Sequence, residues 1–137
     1  MLYDSDDLVG IRVGDYLRHL ACGLMSTYAR PELAVEVSVD AEDIRLDLSP
    51  MVCLGLMVNE MITNSFKYAF AGRAEGRIRV RMRRDDESGD HVFTYSDDGI
   101  GLPEDFDRGG RKSLGMVFID SLARQLEYEL RFAAATG

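Results

Sequence analysis

The stretch Asn59 to Phe70, NEMITNSFKYAF, reads as a helix whose two sides carry different chemistry. Glu60, Asn64 and Lys67 fall at i, i+4 and i+7, so a carboxylate, a carboxamide and an ammonium share one narrow stripe. That trio suits a metal-bound polyphosphate. Leu54, Val58, Met61, Ile62, Ser65, Phe66 and Ala69 fall on the other side, a broad and mostly apolar face that anchors the helix in a core. The polar stripe is left to face a cleft or water.

Working outward, Ser49 stands as N-cap with Pro50 at the first helical position, and the helix runs to about Phe70, before Gly72. Upstream, Leu17, Leu20, Ala21, Leu24, Met25 and Tyr28 recur at helical spacing from about Gly14 to Ala29, where Pro31 forbids continuation. Between the two helices, Val35, Val37 and Val39, then Ile44, Leu46 and Leu48, alternate with polar residues as a pair of half-buried strands.

Downstream, Ile78, Val80 and Met82 alternate with Arg77, Arg79, Arg81 and Arg83, and Val92 to Tyr95 continue after the turn-like DDESGD, which reads as an antiparallel hairpin. The arginine row is the solvated face of a one-sided sheet. Leu102 to Ser113 is rich in Gly, Asp, Arg and Lys and reads as a loop suited to a lid. Helical spacing returns from Gly115 in Met116, Ile119, Leu122, Ala123 and Leu126, and Leu130 and Phe132 suggest a last strand. The order αββαββαβ predicts an α/β fold, a two-layer α/β sandwich with helices on one face of a mixed sheet.

At 137 residues the chain is expected to form a single domain that buries roughly two-thirds of its unfolded surface around one core. A net charge of -8 repels nucleic-acid backbones, so nucleic acid is not an expected partner. Cys22 and Cys53 lie in apolar segments with no histidine at metal-ligand spacing, which predicts two buried, reduced thiols. The longest apolar run, Met51 to Val58, is far short of the ~20 residues that span a bilayer, and the acidic start MLYDSDD is unlike a signal peptide. A cytoplasmic domain without membrane contact is expected.

Three features in order resemble the ATP-binding catalytic domain of sensor histidine kinases, in the superfamily shared with gyrase B, the Hsp90 chaperones and MutL. They are Asn59-Glu60 with Asn64, then Asp97-Asp98-Gly99-Ile100-Gly101, then Ser113-Leu114-Gly115. The string GLMVNEMITNSFKYAF with DDGIGLPE and SLGM is similar to the class grouped with the HWE kinases, which read NELVTNALKYAF here. HWE kinases proper carry a histidine where this chain has Asn59, and a later tryptophan that this chain lacks, so it sits with their relatives.

The resemblance implies a Bergerat-type ATP-binding fold, with ATP and Mg²⁺ as cofactors and ADP as product. Asn64 would offer a side-chain oxygen to Mg²⁺, which takes hard oxygen ligands, and Glu60 would orient or deprotonate a nucleophile at the γ-phosphate. Lys67 would offset phosphate charge and Tyr68 would stack or hydrogen-bond around the ribose and base. Asp97 would accept a hydrogen bond from the adenine amino group while Gly99 and Gly101 let the backbone approach the base. From the lid, Arg111 or Lys112 would reach the phosphates, with Ser113, Leu114 and Gly115 opening a helix whose N-terminus holds them. Taken alone, Glu60 and Lys67 read as a solvated helix face and the Asp-Gly pair as a turn.

Kinases of this class phosphorylate a histidine on a dimerisation hairpin that precedes the catalytic domain and then serve a response regulator. His19 and His91 match no such acceptor motif, so the chain is expected to be the catalytic domain without that upstream hairpin. A serine kinase of the anti-sigma type and a non-catalytic nucleotide-binding or phosphotransfer module are the alternative readings.

Overall fold

The computed structural model describes residues 10–99, 121, 122, 124, 126 and 132–136. In chain order these form β1 (Ile11–Arg12), α1 (Val13–Tyr28), β2 (Ala34–Ala41), β3 (Arg45–Leu46), α2 (Leu48–Asn64), a π-helical turn (Ser65–Ala69), β4 (Glu75–Arg84), β5 (His91–Asp97) and β6 (Phe132–Thr136). Residues 121, 122, 124 and 126 are helical, in the region where the sequence predicts the last helix.

The main sheet has the order β2-β4-β5-β6, with β2 parallel to β4, β4 antiparallel to β5 and β5 parallel to β6. Its one-sidedness follows from alternation. On β4, Gly76, Ile78, Val80 and Met82 turn inward, and Val80 and Met82 stand opposite the buried Tyr95 and Phe93 of β5. On the other face Arg77 pairs with Glu36 at 3.7 Å, while Arg81 and Arg83 reach Asp40 at 3.7 and 2.6 Å. Such exposed pairs are worth about 0–1 kcal/mol each, so the arginine row keeps that face solvated rather than holding the sheet together.

The helices α1 and α2 cover the inward face. Val13, Leu17 and Ala21 of α1 and Met51, Leu54, Met57, Val58 and Ile62 of α2 join the sheet residues in one continuous core. Burying a side chain of this size is worth about 1.5–3 kcal/mol, and this burial fixes how far α2 lies from the sheet. Ser65, Phe66 and Ala69 are buried as expected and Met61 is half-buried, so the predicted apolar face of the motif helix is the face that meets the core. The architecture is the expected mixed sheet with helices on one face.

Four local expectations are corrected. The motif helix begins at Leu48 with Asp47 as N-cap and without a side-chain capping bond, not at Ser49-Pro50. Pro50 remains in the first turn, where a missing N–H has no intrahelical acceptor to lose. The strand expected over Ile44 to Leu48 shrinks to β3, which pairs with β1 outside the main sheet, because Leu48 already belongs to the helix and is 68% exposed.

The motif helix is also not α-helical throughout. From Ser65 it widens into a π turn closed by the Phe70 N–H donating to the Ser65 carbonyl at 3.0 Å, before Gly72 (φ 74°) redirects the chain. Finally, Cys22 is exposed and Cys53 half-buried, since α1 turns Leu17 and Ala21 to the core and carries Cys22 about 100° further round.

Candidate functional site

The end of α2 and the end of β5 meet at a buried hydroxyl. Ser65 is only 3% exposed, and its Oγ donates to Asp97 Oδ2 at 2.7 Å while lying 2.6 Å from the Tyr95 hydroxyl. Tyr95 Oη is also 3.1 Å from the Met61 carbonyl. Burial pushes the Tyr95 phenol well above its usual range; the hydrogen bond with Ser65 opposes this and the neighbouring Asp97 charge adds to it. Tyr95 is therefore a proton donor at neutral pH. With the one Ser65 proton on the carboxylate, Ser65 accepts from Tyr95, whose single proton is shared between Ser65 Oγ and the Met61 carbonyl, giving a chain Tyr95 to Ser65 to Asp97 with a branch to Met61.

The same contacts account for the π turn. The Ser65 N–H is shared between the Ile62 and Met61 carbonyls, so the helical ladder is already loosening where the Tyr95 hydroxyl supplies Met61 with a second donor. A side chain inserted into the ladder in this way is a common cause of a π turn, and π turns recur at functional sites.

The two aspartates at the end of β5 have different surroundings. Asp97 is half-buried, and its second oxygen, Oδ1, accepts the Gly99 N–H at 3.1 Å. Asp98 is exposed and latched to the start of β4: Oδ1 accepts the Arg77 N–H at 2.8 Å, its own N–H donates to the Arg77 carbonyl at 3.1 Å, and its carbonyl accepts from Arg73. Gly99 lies against the end of the π turn so closely that a Cβ there would overlap the Ala69 backbone. Only glycine lets the Asp97–Gly99 segment pack onto the motif helix.

Glu60 and Asn64 are half-buried on the last turns of α2, Lys67 is exposed on the π turn and Tyr68 is 38% exposed. The wider turn carries Lys67 and Tyr68 out of the α register assumed from the sequence. Among the described residues neither Glu60 nor Lys67 forms an ion pair. Gly101, Arg111, Lys112, Ser113, Leu114 and Gly115 lie outside the described residues.

A hollow of about 820 Å³ also touches Asp97 and Asp98, but the rest of its lining comes from β2, β4 and β5, Glu36, Ser38, Arg77 and Arg79 among it, and no residue of α2 or the π turn lines it. It belongs to the arginine-bearing side of the sheet. Sequence reading missed Ser65 and Tyr95 as members of the site. The one available signal was a hydroxyl in the middle of an otherwise apolar helix face, which needs a partner when buried.

Residues 52–136 match the family described as histidine kinase-, DNA gyrase B- and HSP90-like ATPases. The chain belongs to that ATPase family. The matched span holds Glu60, Asn64, Ser65, Tyr95 and Asp97 together. The ATPase domain is 32% identical over 139 residues to blue-light-activated histidine kinase 2 of Erythrobacter litoralis, covering 95% of this chain and 39% of that protein. To blue-light-activated histidine kinase 1 of the same organism it is 27% identical over 136 residues, covering 98% and 36%.

Two solved structures agree. The histidine kinase domain of an E. litoralis blue-light-activated histidine kinase superposes with a TM-score of 0.71 at 29% identity, over 83% of this chain and 51% of that one. A structure of the blue-light-activated histidine kinase gives 0.73 at 29% identity, over 85% and 36%. The chain is thus an ATPase domain homologous to histidine kinases, and it spans about two-fifths of the length of the curated relatives it matches. No helix among the described residues is long and apolar enough to cross a membrane.

Proposed function

We propose that this chain is the catalytic domain of a two-component sensor histidine kinase of the HWE-related class, which transfers the γ-phosphate of ATP to a histidine on a dimerisation hairpin. The observation that carries the reading is the fixed carboxylate of Asp97, held by Ser65 and Gly99 against the helix that presents Glu60 and Asn64. A base-reading acceptor and a phosphate-facing polar stripe then share one helix end. In this reading Asp97 accepts from the adenine 6-amino group, Gly99 and Gly101 admit the base, and Tyr68 flanks the base or ribose. Lys67 and, from the lid, Arg111 or Lys112 with Ser113, Leu114 and Gly115 meet the phosphates.

The donor set suits Mg²⁺ brought in with the triphosphate. Mg²⁺ keeps several waters and takes few protein oxygens, and a half-buried amide oxygen at Asn64, one turn from Glu60, provides such a ligand without a carboxylate cage. The ion would neutralise charge on the phosphates. Glu60 orients the attacking imidazole or takes its proton. As the nitrogen–phosphorus bond forms, the bond from the γ-phosphorus to the bridging oxygen breaks and ADP leaves. The downstream partner is a response regulator, and the ATP supply places this chemistry in the cytoplasm.

Incubated alone with radiolabelled ATP, the chain should not label itself, because exposed His19 and half-buried His91 are its only histidines and neither sits in an acceptor motif. It should slowly label a supplied dimerisation hairpin from a related kinase, since transfer without a tether is bimolecular. The label should be acid-labile and should vanish with Glu60→Ala. Acid-stable self-labelling would overturn the reading in favour of a serine kinase.

A further inference from the structure

We propose that Ser65 and Tyr95 are positioning residues for purine selectivity, holding the Asp97 carboxylate in the one rotation that reads a 6-amino group. The inference rests on the reading of Asp97 as the adenine acceptor, and adds the residues that make it selective.

A carboxylate turns easily about its terminal torsion, because that sp³–sp² rotation is broad and roughly two-fold. At Asp97 both oxygens are tied: Oδ2 takes the Ser65 hydroxyl at 2.7 Å and Oδ1 takes the Gly99 N–H at 3.1 Å. Rotation would break both bonds at once. The Ser65 hydroxyl could itself turn away, and the Tyr95 hydroxyl at 2.6 Å opposes this, because Ser65 Oγ is one of the two acceptors that share its proton. Tyr95 is in turn buried and also donates to the Met61 carbonyl of α2, so the chain of donors is anchored in the core at its far end. Each Asp97 oxygen keeps acceptor capacity for a ligand N–H.

Ser65 is buried, so it has no direct access to a nucleotide and acts through Asp97. It also follows Asn64 in the chain, which places the support for the base directly beside the residue offered to the metal. A serine that served only to fill space would affect every purine nucleotide alike. A serine that aims Asp97 affects only those with a donor at position 6.

The test compares ADP with purine riboside 5′-diphosphate, which lacks only the 6-amino group, by calorimetric titration of the whole chain and its variants. Ser65→Ala should weaken ADP about tenfold, the scale of one hydrogen bond to a charged group, and leave the purine riboside diphosphate within about twofold. Tyr95→Phe, which keeps the Ser65 hydroxyl but frees it to turn, should weaken ADP about threefold with the same selectivity. It carries the test if Ser65→Ala fails to fold.

An equal loss for both ligands, or no loss for either, would overturn the positioning role while leaving the ATPase reading intact. Failure of the unaltered chain to bind ADP would overturn both. Because the comparison is a double cycle between protein and ligand, general destabilisation cancels.

Discussion

Gly99→Ala tests whether the Asp97–Gly99 segment is really pressed onto the motif helix. The backbone at Gly99 is not in the left-handed region, so alanine is conformationally acceptable and only space decides the outcome. The new Cβ would lie 2.5 Å from the Ala69 Cβ and 2.7 Å from its carbonyl carbon, about 1 Å inside normal carbon contact. Backbone cannot swing aside as a long side chain can. Overpacking of this kind costs about 1–3 kcal/mol, which at roughly 3–4 °C per kcal/mol lowers Tm by about 3–12 °C.

The function should suffer beyond stability. Asp97 is held by bonds of 2.7 and 3.1 Å, and a displacement of about 1 Å takes at least one of them past hydrogen-bonding range. ADP binding should then weaken at least about tenfold at a temperature where the variant remains folded. Thermal denaturation followed by circular dichroism, with calorimetric ADP titration alongside, reads both effects. A variant with native Tm and native ADP affinity would show that the close approach of Gly99 to Ala69 does not exist in solution.

Tyr95 predicts a pH effect: its phenol titrates higher in the folded than in the unfolded chain, so above about pH 10 the unfolded state sheds a proton that the folded state keeps. Stability should therefore fall with rising pH by up to about 1.4 kcal/mol per unit, and urea denaturation of Tyr95→Phe should lack that part of the slope. Asn64→Ala should fold normally yet lose most of the Mg²⁺ dependence of ATP binding; an unchanged response to EDTA would refute the placing of the metal. Phe70→Ala removes a fully buried ring packed edge-on to Phe66 at 6.1 Å, and should cost about 3–5 kcal/mol in denaturant unfolding.

What could be read from the sequence was whatever local periodicity encodes. Leu54, Val58, Ile62 and Phe66 announced the buried side of the motif helix, and Ile78, Val80 and Met82 announced the inward side of β4, because burial repeats with the geometry of the element. The β1–β3 pair was invisible, since two residues cannot show a period. The helix start was misplaced because Ser-Pro is a valid opening in its own right, and only the tertiary turn after Leu46 makes Asp47 the cap.

The π turn and the Ser65 chain were hidden for a different reason. Both depend on Tyr95 and Asp97, about thirty residues further along, and no local pattern records a hydrogen bond across that distance. The parallel pairing of β2 with β4 was equally unforeseen, being a property of the crossover and not of either strand.

The two parallel pairings set an order of assembly. Each joins strands about forty residues apart, Ala34 with Glu75 and His91 with Phe132, and such closures cost chain entropy before any contact repays it. During synthesis, a chain completed only through Arg84 can already dock β4 beside β2 and enclose α2 in the crossover. Glu60 and Asn64 are then in place, but Ser65 faces a gap, with neither Tyr95 nor Asp97 yet made to satisfy its hydroxyl. The half of the site proposed to meet the phosphates thus matures before the half proposed to read the base, and the arrival of β5 both completes the hydrogen-bond chain and removes an orphaned polar group from the nascent core.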